Sequence, residues 1–324
     1  MSKRKYDVSV IYKKFGIYLV LLALLVISSI ISPVFLSKAN IMNLLTQISV
    51  VTIISCGITM LIIENMTDLS GGSVVALTGC LCVGTYKMLI GWGCNIIVAG
   101  VICMGTAMVC GFSLNLLSGM VITHYRAPAF IVTLAMSQMA RGLVYLYTGG
   151  QPIYGIEEIA IIGQGKIGNI LPFSVIIMIV IVSITWVVLN KTRFGRYVYA
   201  IGGNREAAVA SGVNVNRTVL KTYMLHGIFV GIAGVLYMTR INSGQPAEGV
   251  NLEFDAITAA IIGGTSFSGG IGTVQGTICG SIIIGVIKNI LNLLSVQSYY
   301  QQIITGMIIV IAVILDIKTK MSGK

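Results

Sequence analysis

An all-α polytopic membrane fold follows from three features of this 324-residue sequence. Its residues are 56% hydrophobic and only 10% charged, with a mean hydropathy of +0.94. Apolar runs of roughly 20 residues, the length that crosses a hydrocarbon core as a helix, recur along the whole chain. The cations behind the net charge of +11 gather at the ends of those runs. Orientation signals are placed in that way, whereas a nucleic-acid surface would concentrate the charge on one face. The expectation is one transmembrane domain, residues 1–324, of about ten helices in two inverted halves, with broken or short helices and one cytoplasmic helix.

Lys3, Arg4, Lys5, Lys13 and Lys14 precede the first expected span, residues 16–36. A basic head before an apolar run resembles a secretory signal. The run extends to Leu36 without a small-residue cleavage site, so an uncleaved span is favoured. The second span, 44–63, ends at Glu64-Asn65-Met66-Thr67-Asp68-Leu69-Ser70-Gly71-Gly72. Charges are costly inside a membrane and face a cavity or a partner. Asp68 therefore reads as the cap of a helix beginning near Gly71, or as part of a broken helix lining a pathway.

The third span covers 73–90 and turns at Gly91-Trp92-Gly93, and the fourth covers 96–117. Thr123-His124-Tyr125-Arg126-Ala127-Pro128 marks the inside before the fifth span, 129–147. Residues 148–169, with Glu157 and Glu158, read as external. The sixth span is 170–189 and the seventh 223–241, with a second external segment at 242–253 that contains Glu248. The eighth, 254–267, is short and broken by glycine; the ninth covers 274–294 and the tenth 302–315. Lys318, Lys320 and Lys324 follow it, so both termini are expected in the cytoplasm and the crossing count must be even. The break at 68–72 has a loose counterpart at 255–270, as an inverted repeat would require.

Residues 192–222, TRFGRYVYAIGGNREAAVASGVNVNRTVLKT, form the one long polar stretch. They carry Arg193, Arg196, Arg205, Arg217 and Lys221 against the single acid Glu206. A basic loop beside spanning segments belongs to the cytoplasm. A short helix is expected around Asn204-Arg205-Glu206-Ala207-Ala208, between Gly202-Gly203 and Gly212. Another protein can grip a small helix of this kind. Ala207 and Ala208 are expected to form its close-packed face.

Catalytic readings find little support. His124 and His226 are the only histidines and read as interfacial or packing residues. The seven cysteines (Cys56, Cys80, Cys82, Cys94, Cys103, Cys110 and Cys279) read as small apolar packing residues rather than metal ligands. The run Gly263 to Gly272 lacks the lysine of a phosphate-cradling loop, and Gly163-Gln164-Gly165-Lys166-Ile167-Gly168 is a similar near miss. No cofactor is therefore expected on this chain. Gln47, Asn115, Gln138, Arg141, Asn289 and Asn292, with Lys288, remain as intramembrane polar groups for helix contacts or for a pathway. The pathway candidates are Gln47, Asp68, Ser70, Asn115, Asn289 and Asn292.

Four stretches resemble the membrane permeases of bacterial ABC importers for monosaccharides, the ribose/galactose/xylose group. The first is 43–79, with Thr67-Asp68-Leu69-Ser70 and Gly72-Ser73. The second is 126–152, with Ala129-Phe130-Ile131-Val132-Thr133-Leu134 and Tyr147-Thr148-Gly149-Gly150-Gln151-Pro152. The third is the basic loop, with Thr192-Arg193-Phe194-Gly195-Arg196 and Ala200-Ile201-Gly202-Gly203-Asn204. The fourth runs from Phe254-Asp255-Ala256-Ile257 through Gly263-Gly264-Thr265-Ser266 to Gly269-Gly270. Glu64-Asn65-Met66 departs from the small residues usual in that family.

The resemblance implies a permease without enzymatic activity in a bacterial cytoplasmic (inner) membrane. Its implied partners are a cytoplasmic ABC ATPase that uses the ATP, an extracytoplasmic sugar-binding protein, and a second permease copy or paralogue. It places the ATPase-coupling helix at Gly203, Asn204, Arg205, Glu206, Ala207, Ala208 and Gly212. The alternatives are a related permease for nucleosides, branched-chain amino acids or a signalling furanose, and a secondary transporter. The last should show paired carboxylates or histidines in mid-span.

Overall fold

The computed structural model describes residues 8–168 and 170–321. Lys3, Arg4, Lys5 and Lys324, which carry part of the orientation argument, lie outside the described residues. The chain forms an all-α polytopic bundle. In order come α1 (Val8–Ile31), α2 (Lys38–Ile63), α3 (Gly71–Gly91), α4 (Ile96–Tyr125) and α5 (Ala129–Thr148). Next are α6 (Ile161–Gln164), the two-residue strands β1 (Lys166–Ile167) and β2 (Leu171–Pro172), and α7 (Phe173–Lys191). The chain ends with α8 (Arg193–Gly203), α9 (Arg205–Ala210), α10 (Val215–Arg240), α11 (Leu252–Ile262), α12 (Val274–Leu293) and α13 (Ser298–Met321).

Among the described residues, 7 helices are long and apolar enough to cross a membrane: α2, α3, α4, α5, α7, α10 and α12. Local chemistry sets their ends. Ser37, Asn95, Asn214 and Thr273 each accept a backbone N–H at a helix start. Arg126, in the left-handed region at φ 53°, stops α4, and Pro128 follows. Gly149, at φ 61°, closes α5 by donating its N–H to the Tyr145 carbonyl.

Helices α2 and α10 form the centre. Small residues let neighbours approach α10 closely, which is how helices gain contact area where lipid removes the hydrophobic drive. A Cβ on Gly111 of α4 would stand 2.3 Å from the Gly227 carbonyl oxygen, and one on Gly79 of α3 would stand 2.6 Å from that of Gly234. Five of the cysteines (Cys56, Cys80, Cys82, Cys103 and Cys279) are buried in this packing.

Two connections depart from the expected surface loops. After α2, residues 64–70 fold back into the bundle, so Gly71 packs beside Ile54, about two and a half turns before the end of that helix. After α10, residues 242–251 do the same from the opposite end. Gly249, at φ 79°, meets Gly72, where a Cβ would lie 2.1 Å from the Gly249 carbonyl oxygen. The starts of α3 and α11 therefore meet inside the bundle, and Glu253 Oε2 accepts the Gly72 N–H at 3.1 Å.

Two expectations are corrected here. Residues 242–253 are not a purely external segment, because Ser243 and Leu252 are buried. The eighth span, expected at 254–267, is a helix of 11 residues starting at Leu252, about 16 Å long, and the break preceding it lies at 242–251. Irregular backbone at this depth persists only where protein covers it, which a hydropathy pattern cannot register. Residues 148–168 are also more ordered than a plain loop, with Ile156 fully buried and Ile153 bridged to Gly244.

Candidate functional site

The basic segment begins with a helix that its polarity had concealed. Thr192 Oγ1 accepts the Gly195 N–H at 3.1 Å and starts α8. The end of α8 is pressed onto two other elements. A Cβ on Gly202 would lie 1.6 Å from the Ile63 carbonyl oxygen and 2.5 Å from the Gly270 nitrogen, so only glycine fits. Gly270 donates its N–H to Ile63 O at 2.9 Å, and Tyr199 donates its hydroxyl to Gly272 O at 2.8 Å. Helix α8, the end of α2 and the loop before α12 thus form one joint.

Asn204 follows and caps α9, its Oδ1 accepting the Ala207 N–H at 2.9 Å. Gly212, at φ 81°, closes the turn by donating to Val209 O. Gly203, Arg205 and Glu206 are exposed. Ala207 and Ala208 do not share a face: Ala207 is exposed, whereas Ala208 is 4% exposed and turned into its own chain. Neighbouring residues on a helix point about 100° apart, so the paired close-packed face is corrected to Ala208 alone on the inward side.

Above this joint lies a closed polar cluster. Asp68 is fully buried and does not cap α3; the residue at the cap position is Ser70, whose side chain makes no capping bond. Asp68 Oδ1 instead accepts the Ser70 N–H at 2.7 Å and its hydroxyl at 2.6 Å, a local turn, while Oδ2 lies 2.9 Å from His226 Nε2. His226 is also fully buried, so of the two sequence readings, interfacial or packing, it takes the packing one. Its Nδ1 has no partner, and a Cβ on Gly57 would stand 2.1 Å from that atom. The tautomer that strands no proton carries hydrogen on Nε2 and donates to Asp68. Tyr223, fully buried, donates its hydroxyl to Thr67 O at 2.8 Å.

Glu64, just beyond the end of α2, is 1% exposed, and neither carboxylate oxygen makes a hydrogen bond. Burial pushes its pKa up to about 8, against smaller opposing pulls from Thr222 and the Arg205 charge. The Thr222 hydroxyl is itself committed to Thr218 O at 3.2 Å.

The other expected pathway residues do not converge. Asn115 is buried between α4 and α10, its Nδ2 donating to Gly111 O at 3.2 Å. Asn289 and Asn40 exchange amide hydrogen bonds at 2.8 and 2.9 Å, joining α12 to α2. Asn292 accepts from Gln301 on the outside of the bundle. Arg141 clamps the infolded segment by donating to Pro246 O at 2.6 Å and Glu248 O at 2.8 Å, while Tyr237 donates to Glu248 Oε2. His124 lies exposed at the end of α4 beside Tyr125. Gln47 lines a cavity, next to an ion pair between Asp255 and Lys288. A spacing argument could not have paired residues 33 positions apart on different helices.

Fold and site define a multi-pass membrane protein whose buried polar groups sit where helices break, joined to a basic helical segment. The chain belongs to the family described as the branched-chain amino acid transport system / permease component, which matches residues 40–313. The ribose import permease protein of Escherichia coli (strain K12) is 39% identical over 302 residues, covering 92% of each chain. That of Bacillus subtilis (strain 168) is 40% identical over 319 residues, covering 95% of this chain and 94% of the relative. The galactose/methyl galactoside import permease protein of Escherichia coli (strain K12) is 39% identical over 317 residues, 94% of each. No solved structure matches the chain.

Proposed function

We propose that this chain is the permease subunit of an ATP-driven importer that carries a monosaccharide of the ribose or galactose kind. One observation carries the reading: identity near 39% runs over more than nine-tenths of permeases named for those sugars. A cytoplasmic ATPase supplies the energy, an external binding protein delivers the sugar, and a second copy of the chain completes the pore. The permease binds no ATP.

Coupling is assigned to α9. Its exposed face, with Arg205, Glu206 and Ala207, meets the ATPase, and motion passes through the joint at Gly202 to α2 and to the loop before α12. Orientation follows the charges: the termini and Arg205 face the cytoplasm, while Glu157 and Glu248 face outward.

The test is uptake of D-ribose and D-galactose into vesicles holding the chain, its ATPase and its binding protein. ATP-dependent accumulation of either sugar is expected, and none without the ATPase. Accumulation of a branched-chain amino acid or a nucleoside, with neither sugar taken up, would overturn the substrate class. Ala207→Trp is expected to weaken ATPase binding at least tenfold with the fold intact. Normal binding and uptake in both Ala207→Trp and Ala208→Trp would make the segment a tether.

A further inference from the structure

Among the described residues, two adjoining cavities open at the end of the bundle opposite α9. The larger, about 400 Å³, lies against α13 and includes Gln301, Gln302 and Thr305 in its wall. The smaller and more enclosed, about 140 Å³, lies between α2, α10, α11 and α12 and still has room for several waters. Val250 and Lys288 line both, so they form the boundary between vestibule and chamber. The chamber sits where the chain re-enters the bundle to begin α11. Broken helices of this kind expose unpaired polar groups at a depth where few others are available.

The polar groups of the chamber are only partly used. Lys288 Nζ donates to Asp255 Oδ2, leaving two further donor positions on the ammonium. Asp255 is 1% exposed, and its Oδ1 has no hydrogen-bond partner among the described residues. A buried carboxylate oxygen without a donor is costly, so this atom calls for a ligand with a hydroxyl. Gln47 and the Arg240 guanidinium also line the chamber, and neither side chain makes a hydrogen bond to the described residues. The set offers one carboxylate acceptor flanked by two cations and an amide, with a net charge of +1. A cation would meet Lys288 and Arg240, and an anion would meet Asp255. A neutral polyol satisfies both: one hydroxyl donates to Asp255 Oδ1 and its neighbour accepts from Lys288 or Gln47.

We infer that the Asp255–Lys288 pair, with Gln47 and Arg240, forms a way-station for a vicinal diol of the transported sugar, with Lys288 at its mouth. The inference rests on the sugar-importer reading above. Asp255 Oδ1 is shielded in the resting chamber, so a sugar hydroxyl reaches the carboxylate as Lys288 swings aside, and leaves as Lys288 swings back.

The assembled transporter tests this with D-ribose and D-galactose delivered on saturated binding protein. Gln47→Leu removes no internal hydrogen bond and is expected to lower the maximal uptake rate at least tenfold while ATP hydrolysis continues. The neutral pair Asp255→Asn/Lys288→Gln is expected to do the same without loss of folded protein. In a background lacking the native cysteines, alkylation of Val250→Cys is expected to slow at least fivefold during sugar turnover. Wild-type uptake rates in both Gln47→Leu and the neutral pair, or alkylation indifferent to sugar, would overturn the assignment. If the wild-type assembly itself takes up neither sugar, the importer reading fails instead.

Discussion

Asp68 lies within one segment that folds back into the bundle and Asp255 just after the other, and each holds a cationic or potentially cationic partner, His226 and Lys288. Their surroundings divide them. Asp68 and His226 are both fully buried, and every carboxylate contact comes from the protein. Asp255 is buried too, but the Lys288 side chain is 24% exposed and both residues line a cavity. The first pair is a rivet between α10 and the α2–α3 connection; the second has an acceptor to spare. Burial of a charge in a membrane protein therefore says little about solute until the space beside it is known.

The sharpest break of this comparison is at the rivet. His226→Leu leaves a buried carboxylate short of a donor, which costs about 3–5 kcal/mol, and Asp68→Ala strands a neutral imidazole N–H, which costs about 1–3 kcal/mol. Thermal unfolding in detergent should show that loss, with uptake per folded molecule unchanged. A variant that stays fully stable would show that the pair is not structural.

Next comes Glu64. Its folded pKa of about 8 lies above the ordinary value of 4.5, so the folded state holds the proton more tightly than the unfolded chain. Its contribution is fully present below pH 4.5 and is lost as pH rises toward 8. Stability should fall by about 2–3 kcal/mol between roughly pH 5 and 7 through this group alone. Glu64→Gln should flatten that slope in unfolding curves taken across the range.

The neutral pair Asp255→Asn/Lys288→Gln should change stability by less than about 1 kcal/mol, because two charges are removed together and a hydrogen bond is kept. A loss as large as that of Asp68→Ala would erase the distinction between rivet and way-station. Smallest of all is Arg205→Ala. Exposed, its charge contributes a few tenths of a kcal/mol at most. Its removal should still nudge the Glu64 titration upward, because Arg205 is one of the groups holding that pKa down.

Much of the fold was legible because hydropathy is additive along the chain. The long apolar runs became helices, and the caps at Ser37, Asn95 and Asn214 lie where polar residues interrupt those runs. The helix around Arg205–Ala210 was legible for the same reason, with Asn204 before it and Gly212 after it. Helix α8 was hidden because its polar residues mask an apolar stripe, Val198 and Ile201, that packs inward. The candidate pathway residues were chosen as polar groups in apolar runs, and several proved to bond only to other helices. Asn289 and Asn40 satisfy one another, and Asn115 satisfies its own helix.

By itself, then, the sequence determined that this is a multi-pass membrane protein and where its long apolar helices lie, because water and lipid act on each segment independently of its neighbours. It also marked the one long polar stretch, residues 192–222. Tertiary structure alone decided that residues 64–70 and 242–251 enter the bundle, that Gly202 seats on Ile63, and that Asp68 meets His226 while Asp255 meets Lys288. Those outcomes depend on which helices lie side by side. A buried polar group is satisfied by whatever reaches it across space, and no local pattern along one chain encodes that distance.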